Sequence, residues 1–552
     1  MNEKQVTKSR YSFYTSGAPR QPKEPTWKYH WRRLFTIKTL ESLESDQEHS
    51  KLKKALTAFD LTMIGIGNVI GAGIFVLTGV TAATNAGPAI VISFIISGIA
   101  AAFAALSYSE LASMIPVSGS AYTYTYATMG EVMAWIIGWD LILEYLVGAA
   151  TVAVGWSKYF VILFSDAFHV DFSESWTKSP FSFNTDTQSF ERVPDAYFNL
   201  PAFIISIIVT FLLIFGIKES ARVNAIIVSV KIFIIVLFVL AASTKIDPDN
   251  YKPFVPKNEG SFSKFGVSGI FSAASIVFFS YIGFDSVSTT SQEVRNPQRD
   301  LPIGIIGSLG ISTVLYIAVC LVLTGIVPYT KLDDPAPIGL AVRDVGLRWL
   351  EIIVDIGALA GLSSVILTSL MGQPRIFYSM ASDGLFPKFA AKIHPKYRTP
   401  YITTALTGTI CAIASAILPI DVLAELTSVG TLLAFFLVNI GVLILRKTAP
   451  DAPRKFKAPG GPYFVPITGA LLSLLLLVTA TKASIERLFI WMAIGLIIYA
   501  FYGRTHSKVN NPSVIETIDG SQEKAIDSSN VNIEEVKVTD TNVEIIEKDI
   551  ES

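Results

Sequence analysis

Residues 65–79 read Gly65-Ile66-Gly67-Asn68-Val69-Ile70-Gly71-Ala72-Gly73-Ile74-Phe75-Val76-Leu77-Thr78-Gly79, five glycines in fifteen residues of an apolar stretch. Glycine costs about 1 kcal/mol relative to alanine in a helix interior. The Gly71-Ala72-Gly73 cluster therefore predicts a membrane helix that opens midway. An opened helix presents amide N–H groups at the start of its second half, suited to an anion, and carbonyls at the end of its first half, suited to a cation. The alternative reading is close packing against a neighbouring helix through small residues.

A second stretch weighs against that alternative. Residues 275–290 read Ser275-Ile276-Val277-Phe278-Phe279-Ser280-Tyr281-Ile282-Gly283-Phe284-Asp285-Ser286-Val287-Ser288-Thr289-Thr290, again with a glycine inside a span and polar residues just beyond it. Two interrupted spans placed five apart are what an inverted five-plus-five repeat predicts, with a ligand held at the midplane between them.

The rest of the chain fits a bilayer solvent. Of 552 residues 51% are hydrophobic and 16% charged, and the mean hydropathy of +0.49 exceeds that of ordinary soluble domains. Twelve apolar stretches approach the roughly 20 helical residues that cross a bilayer: 56–82, 86–113, 131–164, 199–217, 222–243, 265–291, 302–327, 349–380, 402–419, 421–446, 463–481 and 485–503. No strand-period alternation suggests a β-barrel. The expected fold is an all-α polytopic membrane protein of about twelve transmembrane helices, a five-plus-five inverted repeat with helices 1 and 6 interrupted, followed by two C-terminal helices. Cys320 and Cys411 lie inside apolar stretches and read as packing residues. The five histidines form no ligand pair and no phosphate-binding Gly-Lys-Ser/Thr loop is present. No enzyme activity, cofactor, metal or nucleic-acid partner is expected.

Three regions follow. Residues 1–54 form a basic tail, with twelve Lys/Arg against six Asp/Glu. Its segment Trp27-Lys28-Tyr29-His30-Trp31-Arg32-Arg33-Leu34-Phe35 suits either an interfacial helix on an anionic leaflet or packing on the protein's inner face. Residues 55–505 are the membrane domain. Residues 506–552 form a tail whose last part, 511–552, has eleven acids against three lysines and reads as disordered. An even span count with Lys51, Lys53 and Lys54 beside the first span puts both termini in the cytoplasm. Lys388, Lys392, Lys396 and Arg398 agree, as do Arg446, Lys447, Arg454, Lys455 and Lys457, whereas Lys252, Lys257 and Lys264 on the opposite side reduce the bias. No N-x-Ser/Thr sequon lies in the outward segment 165–199. The plasma membrane is favoured over the vacuolar one; oligomeric state is not legible.

The glycine-rich first span, the sixth-span Phe279-Ser280-Tyr281-Ile282-Gly283-Phe284-Asp285, the following Glu293-Val294-Arg295-Asn296-Pro297-Gln298-Arg299-Asp300-Leu301-Pro302 and the eighth-span Pro374-Arg375-Ile376-Phe377-Tyr378-Ser379-Met380-Ala381-Ser382-Asp383-Gly384-Leu385-Phe386-Pro387 together resemble the amino acid-polyamine-organocation superfamily, most closely its cationic amino acid transporter branch. The resemblance covers residues from about 33 to 503. It implies alternating access around one central site. Amides of Gly71, Ala72 and Gly73 would hold a substrate carboxylate; carbonyls of Val69, Phe279, Ser280 and Ile282 would hold its amine, with Phe279 as an aromatic gate.

Ionisable groups inside spans cost at least about 2.5 kcal/mol on insertion scales and so ask for a reason. Lys231 lies deep in the fifth span, where desolvation disfavours its charged form. The resemblance implies that it contacts the opened first helix and couples proton movement; a purely structural ammonium is the alternative. Asp140 and Glu144 are one turn apart on one face, and the resemblance places Glu144 near the substrate. Asp285, just past the sixth-span break, is expected to anchor the unwound backbone; Glu110, Asp355 and Glu425 are expected to be structural. Aligned on Pro374-Arg375, Ser369 falls where cation-carrying relatives have a small residue. The resemblance thus implies a secondary transporter of L-amino acids, cationic ones favoured, coupled to protons, with a neutral or broad-specificity permease or exchanger as the alternative. A transporter-like receptor would need longer ordered tails, and a channel would need symmetric subunits.

Overall fold

The computed structural model describes residues 31–39, 43, 54 and 56–510, except 118, 171, 185, 186, 188, 216–220, 335 and 398. The expected acidic tail 511–552 and most of the basic tail lie outside the described residues.

The first apolar stretch is two helical segments. α1 (Ala58–Val69) starts in a capping box, Thr57 Oγ1 accepting from the Asp60 amide and the Asp60 carboxylate accepting from the Thr57 amide at 2.9 Å. It stops where Ile70 turns extended, with φ −77° and ψ 98°. Helical structure resumes as a π-helical turn, Gly73–Leu77, followed by α2 (Thr78–Thr81) and a second π turn, Ala82–Ala86. Then come α3 (Ile90–Met114), α4 (Ser120–Thr128), α5 (Glu131–Phe168), α6 (Leu200–Ile214) and α7 (Ala221–Ser243).

The sixth stretch is also divided. α8 (Gly266–Val277) tightens into a 3-10 turn, Phe278–Tyr281; Ile282 is extended, and a 3-10 segment, Asp285–Glu293, completes it where sequence reasoning placed helix without distinction of type. The remainder is α9 (Pro297–Ile326), α10 (Pro337–Asp344), α11 (Arg348–Ser382), α12 (Tyr401–Ile417), α13 (Ile420–Thr448), α14 (Phe464–Val478) and α15 (Lys482–Ile498). α9 begins five residues before the expected 302 because Pro297 takes the first turn, where its missing N–H is harmless.

Among the described residues eight helical runs are long and apolar enough to cross a bilayer, and α1, α6, α12 and α14 are shorter apolar helices. The protein is a multi-pass, predominantly α-helical membrane protein. The all-α expectation needs one correction. β1 (Phe181–Asn184) and β2 (Ser189–Arg192) form an antiparallel hairpin in the connection after α5. Phe183 and Phe190 pair across it with ring centroids 5.2 Å apart, and the Arg487 guanidinium lies 4.3 Å from the Phe183 ring centroid. Four-residue strands give too short an alternation to stand out from loop sequence.

The core frames the two breaks. α5 packs on α11 and α13, while α9 packs on α3 and α1, and α7 lies against α11, α1 and α9. Outside the breaks the two divided stretches are tied directly: the Leu56 amide donates to the Glu293 carbonyl at 3.0 Å, and Arg295 returns a bond to Leu56 at 3.1 Å. Trp31 is 57% exposed and stacks on Phe35. The nearby buried Glu131 carboxylate accepts from Tyr126, Tyr499, Ser507 and Asn510, while Asn510 also donates to the Arg33 carbonyl. The start of α5 thus holds both ends of the described chain.

Glu110 is buried near the end of α3 and pairs with Arg446 through two guanidinium nitrogens and with Arg454 at 3.5 Å, and also accepts from the Ala458 amide. Removing one member of a buried ion cluster leaves uncompensated charge and costs about 3–5 kcal/mol. Glu110→Ala is therefore expected to lower the apparent Tm of the detergent-purified protein clearly; an unchanged Tm would contradict this structural assignment.

Candidate functional site

Both breaks face one cavity of about 540 Å³ between atoms, part of it open to solvent. Val69, Gly71, Ala72 and Gly73 line it from the first break, and Phe279, Ile282 and Gly283 from the sixth stretch. Asn68 and Ser286 beside the breaks, Glu144 and Tyr145 of α5, Thr368 and Ser369 of α11 and Thr427 of α13 contribute the polar part of its walls. Of the nine residues expected around a substrate, eight border this space. Ser280 does not: its side chain packs against Gly73, and its carbonyl accepts from the Tyr316 hydroxyl at 2.7 Å.

Close approach explains two glycines. A Cβ on Gly73 would overlap Ser280, so any larger residue would push the two divided stretches apart. Gly283 has φ +115°, which L side chains rarely adopt, and a Cβ there would lie 2.9 Å from that of Asn68. Below them Asn68 donates to Ser286, whose hydroxyl donates to the Gly283 carbonyl at 2.5 Å. Asp285 accepts from the Gly283 amide at 3.3 Å, a bond on the unwound backbone itself.

The carbonyls released by the breaks are satisfied from the scaffold. Lys231 of α7 donates to Gly67 O at 3.1 Å, Ile70 O at 2.8 Å and Ser364 Oγ of α11 at 3.3 Å. Tyr316 of α9 reaches Val69 O and Ser280 O at 2.7 Å each. Tyr159 of α5 donates to Phe75 O inside the π turn at 2.7 Å. The amides of Gly71–Gly73 open a new helical segment, and the first N–H groups of a helix have no partner within it.

Among the described lining residues Glu144 is the only charged one, and its Oε2 has no hydrogen-bond partner. Asp140, one turn away, is fully buried and a Cβ on Gly430 of α13 would sit 2.7 Å from its Oδ1; it does not line the cavity. Sequence reasoning missed Asn68 and Tyr316. Asn68 lay in the quoted motif as a lone amide, and Tyr316 was one hydroxyl within an apolar run.

A multi-pass membrane protein with a cavity between two divided helices has the build of a solute transporter. Residues 56–501 match the sequence model of the amino acid permease family. The chain is 45% identical over 479 residues to a branched-chain amino acid permease of Bacillus subtilis, covering 86% of this chain and 99% of that protein. It is 43% identical to the methylthioribose transporter of the same organism, with the same coverage. Identity to the vacuolar cationic amino acid transporter 4 of Arabidopsis thaliana is 38% over 420 residues, 76% of this chain and 67% of that one. The chain belongs to the amino acid permeases of the amino acid-polyamine-organocation superfamily and is an amino acid transporter, not an enzyme.

Overpacking a tight contact costs roughly 1–3 kcal/mol, so Gly73→Val is expected to weaken amino acid binding about ten-fold or more. Equilibrium binding of labelled amino acid to monodisperse protein measures this, and wild-type affinity in the variant would contradict the proximity argument.

Proposed function

We propose that the chain is a secondary transporter of L-amino acids, cationic ones preferred, working by alternating access and coupled to protons. The carrying observation is the cavity's polarity: helix-start amides at Gly71–Gly73 suit a carboxylate, carbonyls around Val69 and Phe279–Ile282 suit an ammonium, and Glu144 is a charge for a cationic group. Ser369 leaves room on the α11 wall for a long side chain. Phe279 is the aromatic gate and Asp285 the support of the sixth-stretch break.

The membrane domain, residues 55–505, is read as twelve spans, α1 with the segment to Ala86 counting as the first, in a five-plus-five inverted repeat plus two. The basic connections after α11 and α13 support cytoplasmic termini, and the plasma membrane is favoured. A neutral substrate is a second reading, favoured by the apolar Val152 and Val365 lining and the similarity to a branched-chain permease.

Lys231 is the proton-coupling residue. An ammonium has three N–H bonds to donate and an amine two, so loss of the proton loosens the ties among Gly67, Ile70 and Ser364 that shape the first break.

Competition of labelled arginine uptake into proteoliposomes by lysine, leucine and alanine tests the substrate class. Lysine should compete best; competition by leucine alone would favour the neutral reading. Lys231→Ala should abolish pH-driven uptake while exchange persists, and an unchanged pH dependence would remove the coupling role.

A further inference from the structure

α5 and α11 run antiparallel along one wall of the cavity. Towards one end Trp156 Nε1 donates to Ser363 Oγ at 2.9 Å, and towards the other Gln373 Nε2 donates to the Ile142 carbonyl at 3.2 Å. Between these ties the cavity is lined from Val152 to Glu144 on α5 and from Val365 to Ser369 on α11. Tyr145 and Ser369 therefore stand where the wall ends, on the side of the Gln373 tie.

Gly372 lies one turn past Ser369 and is not itself part of the lining. A Cβ there would come within 2.8 Å of Tyr145 Cε1 and 3.1 Å of its Cδ1. The ring of Tyr145 thus occupies the place that a side chain at 372 would take. Its hydroxyl has no hydrogen-bond partner among the described residues, so packing sets where the ring lies. The two ties hold the helices at a fixed spacing, and a methyl group at 372 cannot be relieved by their parting. With α11 on one side of the ring and the cavity on the other, the ring gives way into the cavity.

We infer that Gly372 is a positioning residue for substrate selectivity: the space it leaves receives the Tyr145 ring and so sets how long a substrate side chain the cavity admits. The inference rests on the transport reading above and holds for either of its substrate classes. In that reading the carboxylate and amino groups are held at the breaks, and it is the side chain that extends along α5 and α11. A long side chain, cationic or apolar, needs the ring withdrawn against Gly372; a methyl side chain does not.

Alanine, norvaline and norleucine differ only in side-chain length and measure that limit as competitors of labelled uptake into proteoliposomes. The label is whichever of arginine and leucine the wild-type protein carries. Gly372→Ala should weaken norleucine about ten-fold relative to alanine, the scale of one methylene in an apolar pocket. Tyr145→Val has no atoms where the ring meets Gly372 and should move the norleucine-to-alanine ratio the opposite way. In that background Gly372→Ala should change the ratio less than about two-fold, since no ring remains to be pushed.

An unchanged ratio in Gly372→Ala would overturn the inference, as would a shift that persists in full in the Tyr145→Val background. The atoms met at 372 are the far half of a ring and not backbone, so Gly372→Ala is expected to fold. If it does not, Tyr145→Val alone carries the test, and an unchanged ratio there overturns the inference equally. A wild-type protein that carries neither label defeats the transport reading itself; a carried label with an unmoved ratio defeats the inference alone.

Discussion

A backbone carbonyl released from a helix inside a bilayer has no water to turn to, and leaving it unpaired costs several kcal/mol. Here four such carbonyls, those of Gly67, Val69, Ile70 and Ser280, are met by two side chains, Lys231 and Tyr316. Neither comes from a divided helix. They reach in from α7 and α9, so the shape of the gap is set by helices that are themselves continuous. An interruption that would otherwise be a defect becomes a defined cavity.

The scaffold is fixed by buried clusters away from the cavity: Glu110 with Arg446 and Arg454, Glu425 with Thr481 and Ser484, and Glu131 with both ends of the described chain. The divided helices touch each other through Gly73 against Ser280 and Gly283 against Asn68, contacts of small groups that hold only while no larger side chain intervenes. Glu144 lines the space, and its Oε2 has no hydrogen-bond partner among the described residues.

Much of this was legible in the sequence because glycine and charge are conspicuous in apolar stretches. Gly71-Ala72-Gly73 marks the first break to within a residue of extended Ile70, and Gly283 marks the second. Lys231 stood out as a cation far from any span end. Tyr316 did not, since tyrosines are common in membrane helices and only the fold shows this one midway between two carbonyls. Ser280 was expected to offer its carbonyl to a substrate amine; in the structure that carbonyl accepts from Tyr316 and its side chain packs against Gly73. The hairpin at Phe181–Arg192 and the short helices α4 and α10 are set by packing on neighbouring segments, for which a span-length pattern carries no signal.

A structure of the protein with its amino acid bound tests the central claim most directly. The account predicts the substrate carboxylate within hydrogen-bond distance of the Gly71–Gly73 amides and its ammonium at the carbonyls between Val69 and Ile282, with Lys231 and Tyr316 still bonded to the break. A first span that runs helical through Ile70–Ala72, or a substrate bound outside the gap, would contradict it.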